Sequence, residues 1–186
     1  LATTADFRNG MVLDIEGTLF SIVEFLHVKP GKGGAFVRTK LKNVLSGAVL
    51  DKTFRAGEKV TEVRLESRAM QYLYNDGSHY YFMDSKTFEQ FPVSEQVIGD
   101  QVEYLKENLE VHGLFQGDSP LVVELPFFIE LKIMETDPGL RGDTASGGTK
   151  PAKLESGATV NVPLFLNVGD VIKVDRRTNE YLERVP

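Results

Sequence analysis

A single lysine stands at the centre of the stretch HVKPGKGGAFVRTK, His27 to Lys40. Pro30 stiffens the entry to a turn there, and Gly31, Gly33 and Gly34 allow positive φ and close backbone approach. Lys32 is thereby offered on a narrow tip, with no large side chain beside it to shield the charge. A slender cation of this kind can follow a phosphate backbone or reach into a crowded polar cavity. On pattern alone, the same residues also describe a flexible hairpin carrying an incidental lysine.

Other chemistries find no support. His27, His79 and His112 fall in separate segments and form no HxH or HxxxH pair, so no metal site is expected. The chain has no Cys, which removes disulfides, thiolate nucleophiles and cysteine zinc sites together. The serines make no GxSxG, and the carboxylates show no spacing that singles out an acid/base pair. In GDTASGGTK, Gly142 and Gly147 have Walker A spacing, but Gly148 and Thr149 precede Lys150 and Pro151 follows it. That order does not make a phosphate loop. The tripeptide at Arg141–Asp143 is a common chance sequence. A binding protein, with no enzymatic activity and no cofactor, is the expectation.

Charge is unevenly placed. The 186-residue chain has a net charge of −6, yet Lys29 to Lys59 holds eight basic residues against Asp51 and Glu58. One basic face on an otherwise acidic protein is expected, although a solvated strand surface would carry the same residues. No apolar run approaches the ~18 residues that would cross a bilayer, and the first twenty residues lack a signal-peptide pattern. The expected setting is the cytoplasm, with no membrane partner.

The elements that must position these residues are short and alternating. MVLDIEG, TLFSIVEFLHV, GAFVRTKLKNV and AVLDKTFRAG read as strands separated by glycine-containing turns. Residues 1–63 are thus expected to form a small antiparallel barrel of about five strands, with the Lys32 loop between the second and third. Residues 64–127 form a second unit, with a hairpin at Asn75-Asp76-Gly77. Its helix is expected to start at Ser94 and to bury Val97, Ile98, Gln101, Val102, Leu105 and Leu109. Two further strands complete an OB-type barrel. Residues 128–186 form a third all-β unit, joined through a short, stiff connection at Pro126.

VKPGKGGAFVRTKLKN, Val28 to Asn43, strongly resembles the modified-lysine loop of the bacterial translation elongation factor P family, related to eukaryotic and archaeal factor 5A. KTFRAGEKV and QYLYNDG with FMDSKTFEQ resemble its first and middle domains, and ETDPGLRGDTASGGTKPAKLESGATVNVPLFLNVGDVIKVD its C-terminal domain. The resemblance is collinear over essentially the whole chain. It implies an all-β protein of three small barrels, an SH3-like (KOW-like) domain followed by two OB folds, in an L-shaped, tRNA-like arrangement.

It further implies a monomer that binds the ribosome, through rRNA and ribosomal proteins, between the P and E sites. There it would promote peptide-bond formation at polyproline stalls by positioning the P-site peptidyl-tRNA. Lys32 would be the tip, covalently extended by a modifying enzyme, and Lys29, Arg38, Lys40 and Lys42 would contact phosphates. Gly142, Asp143, Thr144, Gly147, Gly148, Thr149 and Lys150 would face the small subunit and the E-site mRNA codon. Two rivals remain. An elongation-factor-P-like paralogue has a tip that departs from PGKG; a generic OB-fold RNA-binding protein would use Tyr72, Tyr74, Tyr80, Tyr81 and Phe82 as a stacking platform.

Overall fold

The computed structural model describes residues 2–139 and 147–186. Residues 1–66 with 114–121 make one compact unit, and residues 67–113 with 122–186 another. The strands of the described residues fall into three hydrogen-bonded sheets, so the all-β class and the barrel-type sheets expected from alternation are present.

The first sheet contains β1 (Ala2–Thr3), β2 (Val12–Ile15), β3 (Thr18–Val28), β4 (Phe36–Asn43), β5 (Val49–Arg55) and β6 (Lys59–Val63), in the order β1-β6-β2-β3-β4-β5. Glu16 and Gly17 both take positive φ, as a two-residue hairpin between right-twisted strands requires, and the Asp14 carboxylate accepts the Gly17 N–H at 2.8 Å. Thr4 is buried near the sheet's far end. Its hydroxyl accepts the Gly57 N–H at 2.8 Å and donates to the Arg55 carbonyl at 3.3 Å, tying the N-terminal segment to the β5–β6 turn.

Inward-facing strand residues Leu13, Ile22, Val37, Leu41, Phe54 and Val60 build the core together with Phe7 and Met11 from the segment between β1 and β2. Phe7 packs edge-on against both Phe25 and Phe54. Each such side chain contributes about 1.5–3 kcal/mol by leaving water. The ladder between β2 and β3 ends at Ser21, whereas that between β3 and β4 continues to Val28↔Phe36. The β3–β4 hairpin therefore extends past β2, while β5 stays paired with β4 as far as Phe36↔Arg55.

The second sheet contains β7 (Glu66–Asn75), β8 (Tyr80–Asp84), β9 (Gln90–Val93), β10 (Glu110–Gln116) and β11 (Ser119–Glu124), in the order β11-β10-β7-β8-β9. The β7–β8 connection spans residues 76–79, where the Asp76 carboxylate accepts the N–H groups of Ser78 and His79. The helix departs from expectation. α1 spans only Glu95–Ile98, and Gly99, at φ 67°, ends it; a 3-10 segment, Gly99–Tyr104, follows. Ser94 makes no side-chain cap, and Leu105 and Leu109 lie beyond both segments. Gln101 is not an apolar-face residue. Its amide bonds the carbonyls of Ile98 and Val123, and its oxygen accepts the Leu125 N–H.

The third sheet is a closed barrel of β12 (Phe128–Thr136), β13 (Thr149–Leu154), β14 (Thr159–Pro163), β15 (Val171–Asp175) and β16 (Glu180–Val185), shut by the parallel pairing of β14 with β16 at Asn161↔Glu180. Polar side chains fasten it to the segments before it. The Arg176 guanidinium donates to the carbonyls of Leu125 and Pro126, the Tyr104 hydroxyl donates to Asn179 Oδ1 at 2.5 Å, and Lys106 donates to the Glu130 carbonyl. The Leu125–Pro126 connection, expected to be stiff from Pro126, is thus also held by tertiary hydrogen bonds. Among the described residues, no helix is long and apolar enough to cross a membrane.

Candidate functional site

The last ladder pair of the β3–β4 hairpin is Val28↔Phe36, so the connecting loop is residues 29–35 and Lys32 is its midpoint. All seven residues are exposed. Lys32 forms no ion pair with a described residue, nor do Lys29 or Lys42. Four residue steps separate Lys32 from the ladder on each side, a reach of up to ~13 Å of extended chain. Of the three loop glycines expected to need special backbone geometry, only Gly33 uses it, at φ +109°; Gly31 and Gly34 do not. Space does not select any of them, since the nearest atom to a Cβ at Gly33 would be Pro30 Cγ at 3.9 Å and none lies within 4 Å at the other two.

Behind the tip, β4 alternates. Val37, Thr39 and Leu41 point into the core, while Phe36, Arg38, Lys40 and Lys42 share the outer face. These basic residues are not equivalent. The Arg38 guanidinium lies 5.5 Å from the centroid of the Phe36 ring, a cation–π arrangement that leaves its hydrogen-bonding edge free to face outward. Lys40 is different: Glu24 pairs with it from β3 and Asp51 from β5, and its ammonium is bonded to the Glu24 carboxylate. That hydrogen bond is the main reason its pKa is raised. Lys40, expected with Arg38 and Lys42 to contact phosphates, is thus the one of the three that already has a carboxylate partner within the sheet among the described residues.

The sequence pattern did not single out Glu24. Counting eight residues outward from Lys32 in each direction reaches Glu24 and Lys40, so the register around a symmetric loop held the signal.

The third-barrel residues divide further. Gly142, Asp143 and Thr144 lie outside the described residues. Gly147 and Thr149 are exposed. Lys150 is buried, only 6% exposed, and its Nζ donates to the Asp137 carbonyl at 2.6 Å. It pairs with buried Val162 across β13–β14 and faces the barrel interior, so as placed it is not a surface contact. Gly148 packs on Leu164, with only 3.2 Å between an added Cβ and Leu164 Cδ1.

The aromatic platform of the generic RNA-binder reading is largely absent. Tyr72 and Phe82 are buried, and Tyr74, the exposed member, stacks at 4.7 Å on Tyr81, whose hydroxyl is bonded to Asp76. Among the described residues no group of three or more acidic or histidine side chains could hold a metal ion.

Comparison with known proteins agrees with this architecture. Three family descriptions match in order: "Elongation factor P (EF-P) KOW-like domain" over residues 3–60, "Elongation factor P (EF-P) OB domain" over 65–123, and "Elongation factor P, C-terminal" over 129–184. Elongation factor P of Rhodococcus erythropolis is 59% identical over 185 residues, covering 100% of this chain and 99% of its own. The chain belongs to the elongation factor P family. Elongation factor P of Natranaerobius thermophilus is 56% identical over 100% of this chain and 98% of its own. By membership of this family the chain is a translation elongation factor and not an enzyme. A factor 5A family protein from Naegleria fowleri shares the fold over 67% of this chain and 96% of its own, with a TM-score of 0.53 and 12% identity.

Proposed function

We propose that this factor binds the ribosome between the P and E sites and promotes peptide-bond formation at polyproline stalls by positioning the peptidyl-tRNA, with Lys32 as the tip that enters the peptidyl-transferase region. The observation that carries this reading is the placement of Lys32: a cation with no ion-pair partner among the described residues, at the midpoint of a seven-residue exposed loop that projects beyond the last ladder pair.

Proline reacts poorly in peptide-bond formation because its ring fixes φ and its nitrogen is hindered. A factor that holds the acceptor end and the nascent chain in attack geometry lowers the entropic part of the barrier while the ribosome makes the bond. No catalytic group is then required of the factor. Lys29, Arg38 and Lys42 contact phosphates and orient the molecule; Lys40 supports the sheet. Covalent extension of Lys32 by a modifying enzyme adds reach and hydrogen-bond donors. The third-barrel end faces the small subunit and the E-site codon, and the protein works as a cytoplasmic monomer.

Translation of a Pro-Pro-Pro reporter against a proline-free control tests this. Lys32→Ala slows the first far more than the second; equal effects on both sink the reading. Intact mass of the native protein, with peptide mapping to Lys32, tests the modification.

A further inference from the structure

We propose that Lys150 is a positioning residue: its buried ammonium holds together the two chain ends that flank residues 140–146, and so sets how this end of the protein meets its partner without touching that partner. This rests on the reading that the third-barrel end faces the small subunit.

Separate contacts converge on this neck. Lys150, on β13, donates to the carbonyl of Asp137, the residue that follows β12. Thr136, the last residue of β12, donates its hydroxyl to the Pro151 carbonyl at 2.8 Å. Beside the last ladder pair, Thr136↔Ala152, a side chain from each strand is thus bonded to a carbonyl on the other side of the neck. Glycines then let both chain ends lie against Leu164. A Cβ at Gly139 would fall 2.5 Å from the Leu164 carbonyl oxygen, and one at Gly148 would fall 3.2 Å from its Cδ1.

Burying an ammonium is costly unless its protons are bonded. No described carboxylate lies within salt-bridge reach of Lys150, so the Asp137 carbonyl is its described partner. The same geometry removes Lys150 from phosphate binding, because its charge would have to leave that bond and the barrel interior.

The test is ribosome binding of the full-length protein across a salt series. Lys150→Met removes the bond at similar volume, Gly139→Ala disturbs the neck without altering charge, and a third variant replaces residues 140–146 with a Gly-Ser segment of equal length. Lys150→Met and Gly139→Ala are each expected to weaken binding by roughly three- to tenfold while the slope of log affinity against log salt stays that of the parent. Thermal unfolding confirms that each is folded at the assay temperature; if Lys150→Met is not, Gly139→Ala carries the test. A slope flattened by Lys150→Met overturns the proposal in favour of direct phosphate contact. Parental affinity of the neck variants alongside weak binding by the 140–146 replacement overturns it alone. Parental affinity of the replacement itself removes the small-subunit reading, and this proposal with it.

Discussion

Glu24 and Lys40 face each other across the β3–β4 ladder, each eight residues from Lys32, and their side chains form an ion pair. Asp51 stands on the other side of Lys40 from β5. The basic segment is therefore not one uniform patch. A neutralised row separates Arg38 and the tip from Lys42.

Salt dependence distinguishes these basic residues. Taking away one cation that pairs with a phosphate flattens the slope of log affinity against log salt by about 0.7–0.9. Arg38→Ala and Lys42→Ala are expected to flatten the slope of ribosome binding by about that amount each. Lys40→Ala is expected to leave it near the parental value. An equal change for all three would show that Lys40 leaves Glu24 on binding.

Backbone geometry distinguishes the loop glycines. Gly33 holds φ +109°, which costs an L-residue about 1–3 kcal/mol, whereas Gly31 and Gly34 are outside that region with room for a methyl group. Gly33→Ala should slow the Pro-Pro-Pro reporter more than Gly31→Ala or Gly34→Ala. The melting temperature of Gly33→Ala should fall with that strain, by about 2–4 °C per kcal/mol, while those of Gly31→Ala and Gly34→Ala stay near the parent's. Equal reporter rates for the three variants would show that the tip's conformation is set elsewhere.

Arg176 fastens the junction that precedes the closed barrel. Its Nε and Nη2 reach the Leu125 carbonyl at 3.1 and 3.0 Å, and Nε reaches that of Pro126 at 2.9 Å. Arg176→Met removes these bonds at comparable bulk and should destabilise by about 1–3 kcal/mol. Denaturant unfolding reads the loss, and amide exchange at Leu125 and Phe127 should quicken. Unchanged exchange there would mean that other contacts hold the segment alone.

Acid should weaken the second sheet's turn. The Asp84 carboxylate accepts the backbone N–H groups of Thr87 and Lys86, and these bonds, that to Thr87 first, hold its pKa below the usual carboxylate value. The folded state then binds this proton less readily than the unfolded chain. The contribution is complete above the unfolded carboxylate pKa of about 4 and is lost as pH falls through the lowered folded value. The denaturant midpoint should hold near neutrality and drop below about pH 4, with a shallower drop for Asp84→Asn. Identical acid profiles for parent and variant would remove Asp84 from the account.

Much of the architecture was legible because it follows local rules. Alternation marked β2, β3, β4 and β5, and Asp76-Gly77 marked the β7–β8 turn. The helix was misread for a physical reason. The spacing of Ile98, Val102 and Leu105 fits a 3.6-residue period, but Gly99 at positive φ ends the helix after one turn, and a tighter 3-10 segment carries Tyr104 to the interior. The burial of Lys150 was not legible either, since a lysine in a Gly/Thr-rich stretch has the composition of an exposed contact.

The amino-acid sequence by itself determined four of the six strands of the first sheet, the absence of thiol chemistry, the single lysine on a glycine-rich tip and, through whole-chain resemblance, the family. These depend on residue types and on spacings of a few residues, which act through backbone conformation and side-chain alternation. Only the tertiary structure decided which charges are free. Lys32 has no ion-pair partner among the described residues because its loop projects past the last ladder pair, Lys40 is paired because register sets it between Glu24 and Asp51, and Lys150 is buried on the inward face of β13. A charge's availability depends on what the fold places within a few ångströms of it, and those neighbours come from distant parts of the chain.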